Sequence, residues 1–165
     1  MGKRRHKDFG ECDIERFRLM WNDVVYAPGE IVVVAYDENG NETMRKTVKT
    51  ANKAKQIKLE AYKPAIKADG DELNYITASI IDENGTLCET QDQRLFFKVE
   101  GCAELLTTDA GDQRETESFA RADKMSLGGK LVACIRSQKD TAGKVKVICS
   151  AQELGETELV FECVL

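Results

Sequence analysis

Short apolar runs rich in Val, Ile, Leu and Thr recur along this chain, each closed by Gly, Asn or Asp. Ile31-Val-Val-Val-Ala-Tyr36 runs into Asp37-Glu-Asn-Gly40 and then into Thr43–Val48. Asn-Gly supplies the positive φ angles of a tight hairpin, so the pattern predicts strand, turn and strand. The same tetrapeptide returns 45 residues later, where Tyr75–Ile81 leads into Asp82-Glu-Asn-Gly85 and Leu95–Val99 follows after a longer link. Two copies in equivalent settings suggest two related β units. Further strands are expected at Gln56–Ala61, Lys130–Arg136, Lys144–Ala151 and Glu158–Val164. In Lys144-Val-Lys-Val147 a period of two puts both valines on one face and both lysines on the other. No segment sustains a period of 3.6, and residues 114–126 read as an irregular loop holding one short strand.

About seven strands over about 110 residues match an immunoglobulin-like β-sandwich. The fold class is therefore all-β, with residues 55–165 forming one complete sandwich. Residues 1–54 offer three or four strands, Arg16–Trp21 among them, too few to close two sheets. They read as the C-terminal portion of an Ig-like β domain, whose edges need cover from the second domain or a partner chain. The boundary is expected at the short polar stretch Thr50–Ala54, and the polypeptide reads as a piece of something longer.

Charge and cysteine usage narrow the function classes. Of the 24 Lys+Arg and 29 Asp+Glu in 165 residues (net charge −5), fourteen basic and twenty acidic residues fall in 55–165. That balance argues against a nucleic-acid module. No apolar run approaches the roughly 18 residues that cross a bilayer. The basic start MGKRRHKDFGECD has no apolar stretch behind it and does not read as a signal peptide. One His and six Cys without a C-x-x-C spacing cannot assemble a usual zinc set, and no metal or cofactor is expected. Cys134 and Cys149 flank the turn around Asp140–Gly143 almost symmetrically, open to a bridged pair on a hairpin. The other reading is that the cysteines are free and act as small buried hydrophobes.

Trp21-Asn-Asp-Val-Val-Tyr26-Ala-Pro28-Gly29-Glu30, followed by Val32–Tyr36 and Asn39-Gly40, resembles the accessory Ig-like domain behind the catalytic barrel of bacterial β-galactosidases of glycoside hydrolase family 2, with Thr47–Ala51 in place of its linker. Ile57–Ala61, Ile66–Gly70, Tyr75–Ser79, Val99–Gly101, Ala110–Asp112 and Glu117–Phe119 before Gly129-Lys130 resemble the C-terminal Ig-like domain of the same enzymes. One departure is Ala110-Gly111-Asp112, where the family commonly has Asn-Gly-Asp, so any role of that Asn is lost. The resemblance implies a non-catalytic accessory region of a carbohydrate-degrading enzyme. Its partners would be the catalytic barrel and other domains of the same parent chain, with a glycan as the possible ligand, in a periplasmic or secreted setting.

The family's catalytic glutamates belong to the barrel, so no catalytic residue is expected here. Retaining glycosidases need two carboxyls roughly 5–5.5 Å apart, and Glu115 with Glu117 or Asp109 with Asp112 are the pairs on offer. Both sit in a polar loop without an apolar pocket to raise one pKa, and they read as solvated acids. A Ca²⁺ held by that loop is a lesser alternative, and its spacing is not that of an EF-hand. Trp21, Asp109 and Asp112 are the candidate carbohydrate-contact residues. Trp21, like Tyr26, Tyr36 and Tyr75, reads chiefly as packing, with sugar stacking as the alternative. Two rival functions stand beside the main one: an adhesin- or invasin-type surface spacer, and an independent carbohydrate-binding module. The second requires exposed aromatics on one sheet face.

Overall fold

The computed structural model describes residue 21 and residues 24–165. The chain divides between Val48 and Lys49 into two compact units. In the first, β1 (Glu30–Tyr36) and β2 (Glu42–Lys49) form a two-stranded sheet around the first Asp-Glu-Asn-Gly turn. Gly40 N–H donates to the Asp37 carbonyl at 3.1 Å, and Asp37 Oδ1 accepts the N–H groups of Asn39 and Asn41. A two-stranded ribbon buries neither face by itself. Ile31, Val33, Met44 and Val48 accordingly remain exposed. Five of the six residues of the expected strand Arg16–Trp21 lie outside the described residues, and Trp21 itself is not in a strand. Tyr26 likewise precedes β1 rather than belonging to a strand.

The second unit is a two-sheet sandwich. Its strands are β3 (Gln56–Ala61), β4 (Ala65–Lys67), β5 (Leu73–Ile81), β6 (Arg94–Gly101), β7 (Ala103–Asp109), β8 (Asp123–Met125), β9 (Lys130–Ser137), β10 (Gly143–Ala151) and β11 (Gly155–Val164). One sheet has the order β3-β5-β9-β7 and the other β4-β11-β10-β6-β8, antiparallel except where β4 joins β11. Period-two alternation supplies the core: Ile57, Ile76, Ile80, Leu131 and Ile135 from the first sheet meet Leu95, Phe97, Val145, Val147 and Phe161 from the second. Val145 and Val147 are fully buried, while Lys146 turns outward to an ion pair with Glu158. The short strand β8 is the one expected within 114–126. Residues 51–54 are sewn into this second unit. Asn52 N–H donates to Asp82 Oδ2 at 2.9 Å, Ala54 N–H donates to Gln91 Oε1 at 2.8 Å, and Ala51 and Ala54 pack against the core.

One sequence expectation changes and one open alternative closes. The second Asp-Glu-Asn-Gly turn does not join two strands of one hairpin. After it the chain returns only as a single bridge from Leu87 to Ile81, then crosses to the opposite sheet, where β6 lies. Nor do Cys134 and Cys149 face each other. Cys134 registers with Tyr75 and Thr107 in one sheet, and Cys149 with Phe97 and Thr157 in the other, so the link through 138–142 is an arch between sheets. The five described cysteines are free and buried, and desolvation pushes the Cys149 thiol up to about 12.

Candidate functional site

The carboxylates singled out in the sequence lie at the end of β7 and in the loop 110–122 that leads to β8. Asp109 closes β7, and its Oδ1 accepts the Gly111 N–H at 2.9 Å. Asp112 is gripped by Arg114, whose Nε and Nη2 each donate at 2.9 Å while its backbone N–H donates at 3.0 Å. The guanidinium hydrogen bonds hold the Asp112 carboxyl at a pKa of about 2. Glu115 caps its own turn by accepting the N–H groups of Thr116 and Glu117.

Glu117 belongs to a network. Arg94, at the start of β6, donates from Nη2 to Glu117 Oε1 at 2.9 Å and from Nη1 to Glu117 Oε2 at 3.0 Å. The same Nη1 donates to Asp123 Oδ2 at 2.8 Å, and Arg121 Nη2 reaches both oxygens of Asp123 at 2.9 Å. The Arg94 hydrogen bonds hold Glu117 below the ordinary glutamate range, and Arg121 followed by Arg94 does the same for Asp123. Beneath them lies Lys124, fully buried. Its Nζ donates to the Glu117 carbonyl at 3.2 Å and sits 4.8 Å from the centre of the Phe119 ring.

A general acid needs a carboxyl kept protonated near neutral pH by desolvation or a neighbouring negative charge. Here cations and N–H groups hold Asp112, Glu117 and Asp123 ionised, the opposite tuning. The arginines take up oxygens of Asp112, Glu117 and Asp123, while Asp109 and Glu115 accept backbone N–H groups. The cluster is a clamp that fastens a long loop to the sheet edge. Replacing Arg94 with Met is expected to cost about 1 kcal/mol, since the network is half-exposed and solvent-screened. The visible consequence is faster tryptic cleavage after Arg114 and Arg121, read by mass spectrometry. An unchanged cleavage rate would remove the clamp's role.

Of the three candidate contact residues, Asp109 and Asp112 share one loop without sharing a partner. Trp21 belongs to the first unit and is 37% exposed. Arg94 and Lys124, which organise the loop, were not singled out from the sequence. The one local signal was Lys124 at the inward position of Asp-Lys-Met. His6 and Cys12 lie outside the described residues.

Comparison with known proteins adds the context. Residues 57–160 match the family model described as glycoside hydrolase family 2 C-terminal domain 5, and residues 1–44 match one described as domain of unknown function (DUF4982). The beta-galactosidase BoGH2A of Bacteroides ovatus is 28% identical over 147 residues, which are 89% of this chain and 17% of that protein. A glycosyl hydrolase family 2 member from Bacteroides cellulosilyticus DSM 14838 superposes with a TM-score of 0.83 at 26% identity, covering 92% of this chain and 20% of its own. Another from Bacteroides cellulosilyticus gives 0.81 at 27% identity, covering 86% and 18%. The chain thus spans a fifth or less of the length of these relatives.

Proposed function

Because the chain belongs to the family of glycoside hydrolase family 2 C-terminal domain 5, we propose that it serves as a non-catalytic accessory β-sandwich region of a β-galactosidase-like glycoside hydrolase. The observation that carries this reading is the family match across 57–160, which takes in strands of both sheets and the core between them. The tuning of Asp112, Glu117 and Asp123 supports it, because their arginine partners favour the ionised form over one that donates a proton to a leaving group. Its role is architectural: packing against the catalytic barrel and other domains of the same parent chain, and placing loops near the glycan. The parent enzyme would reside in the periplasm or be secreted. Among the described residues no helix is long and apolar enough to cross a membrane.

Two measurements test the proposal. The purified chain mixed with a chromogenic β-galactoside is expected to leave the buffer rate unchanged. Hydrolysis at a protein-dependent rate, abolished by Glu117→Gln, would overturn the non-catalytic reading. Sequencing the reading frame on both sides of the segment is expected to reveal a barrel-sized region with two catalytic-type glutamates. A frame filled instead with repeated modules of this kind would make the chain a surface spacer.

A further inference from the structure

The outer face of the four-stranded sheet carries a group of side chains that folding leaves uncovered. Tyr62, just beyond β3, is 76% exposed and Tyr75 on β5 is 45% exposed. Their ring centres lie 6.4 Å apart at an interplanar angle of 72°, so the two rings stand like a floor and a wall. Beside them Lys63 Nζ and Glu72 Oε1 form an ion pair at 2.7 Å. The Glu72 hydrogen bond chiefly, and both phenol groups in lesser measure, hold the Lys63 ammonium above its ordinary range. Two aromatic surfaces, an ammonium and a carboxylate therefore converge.

The backbone that carries these groups is held in place by hydrogen bonds, and the Glu72 carboxylate is held with it. Tyr62 N–H donates to the Tyr75 carbonyl at 2.9 Å. The fully buried Asn74 accepts the Lys63 N–H on Oδ1 at 3.0 Å and donates from Nδ2 to the Lys63 carbonyl at 2.9 Å. Glu72 N–H donates to Asp69 Oδ1 at 2.8 Å, its carbonyl accepts the Ser137 N–H at 3.1 Å, and its Oε2 accepts the Lys67 N–H. Water screens a partly exposed ion pair, so stability alone does not account for this pairing. A fixed backbone that sets the spacing of two rings, an ammonium and a held carboxylate is a frame on which a binding site can be built.

We infer that Tyr62, Lys63, Glu72 and Tyr75 form a saccharide-contacting site for a neutral pyranoside. A pyranose presents a C–H face that suits an aromatic ring and hydroxyl edges that pair with both a cation and a carboxylate. Nothing in the group favours an anionic or a purely apolar ligand, since its one positive charge is already matched by Glu72. The choice of sugar rests on the glycoside hydrolase reading above. Asp109 lies on the same face: Thr77, two residues beyond Tyr75 on β5, registers with Val132, and Val132 with Asp109.

The test is a titration of the ¹⁵N-labelled full chain with lactose, β-1,4-galactobiose and cellobiose, followed by amide chemical shifts. Saturable shifts are expected at 62, 63, 72, 75 and 77 for at least one of the three, with a Kd of about 1 mM. Tyr62→Ala and Tyr75→Ala each remove a surface ring and should weaken binding about tenfold. Lys63→Gln should weaken it less, and Tyr36→Ala, in the first unit, should leave it unchanged. Absence of shifts with all three sugars, or shifts that survive both tyrosine variants, would overturn the site. Hydrolysis by the chain would instead overturn the non-catalytic reading and leave these shifts intact, so the two failures are separable.

Discussion

Replacing Gly101 with alanine is expected to destabilise the second unit severely. Gly101 ends β6 with φ of +101°, a region that L side chains rarely adopt. A Cβ there would stand 2.1 Å from the Lys144 carbonyl oxygen and 3.2 Å from its carbon. The obstacle is backbone, and it cannot move cheaply. Lys144 lies in β10, whose ladder with β6 on one side and β11 on the other pins it between two strands. The residue after Gly101 is equally committed. Cys102 is buried, its carbonyl accepts the Gln138 N–H at 2.9 Å, and the next residue already begins β7 in the opposite sheet. Gly101 is thus the corner at which the chain changes sheets. Gly101→Ala should cost about 3–5 kcal/mol, with a thermal midpoint lower by about 15 °C. Gly85→Ala is the control, because its φ is also positive (+79°) but its Cβ meets open space. It should cost about 1 kcal/mol. Far-UV circular dichroism melts measure both, and equal midpoints for the two variants would refute the corner argument.

Why this corner was invisible in the sequence explains what could and could not be read there. Alternation is local, so β3 at Gln56–Ala61 and the inward Val145 and Val147 follow directly from side chains pointing to opposite faces. Alternation is the same, however, whether the next strand pairs with its predecessor or arches to the other sheet. That is why Leu95–Val99 reads as following the second turn and a hairpin stays open for Cys134 and Cys149, although both links cross the sandwich. The deciding facts are non-local: a β-bulge between Leu105 and Thr107, the close approach at Gly101, and the tie from Asn52 to Asp82. The loop chemistry follows the same rule. The acids at 109–123 were legible as residues, but Arg94 reaches Glu117 only through the fold. Tyr75, expected to pack, stands exposed beside Tyr62, a neighbour supplied by the β3–β5 register.

The two Asp-Glu-Asn-Gly turns allow one tetrapeptide to be compared in two settings, and the expected results differ sharply. In both, the Gly N–H donates to the Asp carbonyl at 3.1 Å and Asp Oδ1 accepts the N–H groups two and four residues on. Asp37 gives its second oxygen to the exposed side chain of Asn41 at 2.9 Å. Asp82 is 1% exposed and gives its second oxygen to the Asn52 N–H, so one carboxylate ties the turn to the strand of chain entering the sandwich. Asp82→Ala leaves three N–H donors without their acceptor in a largely dry place, and should lower the midpoint of the second unit by about 10 °C. Asp37→Ala should shift it by no more than about 1 °C. Acid supplies an independent check with a definite sign. The Asn52 N–H chiefly, followed by those of Thr86 and Asn84, holds the Asp82 carboxyl below its ordinary value. A depressed folded pKa contributes stability that is fully present above the unfolded value of about 3.9 and is lost as pH falls through the folded one. Wild type should therefore lose more stability than Asp82→Ala between pH 7 and pH 2. Equal acid losses in the two proteins would mean that the buried carboxylate does not anchor the entering chain, and that Asn52 is held by something else.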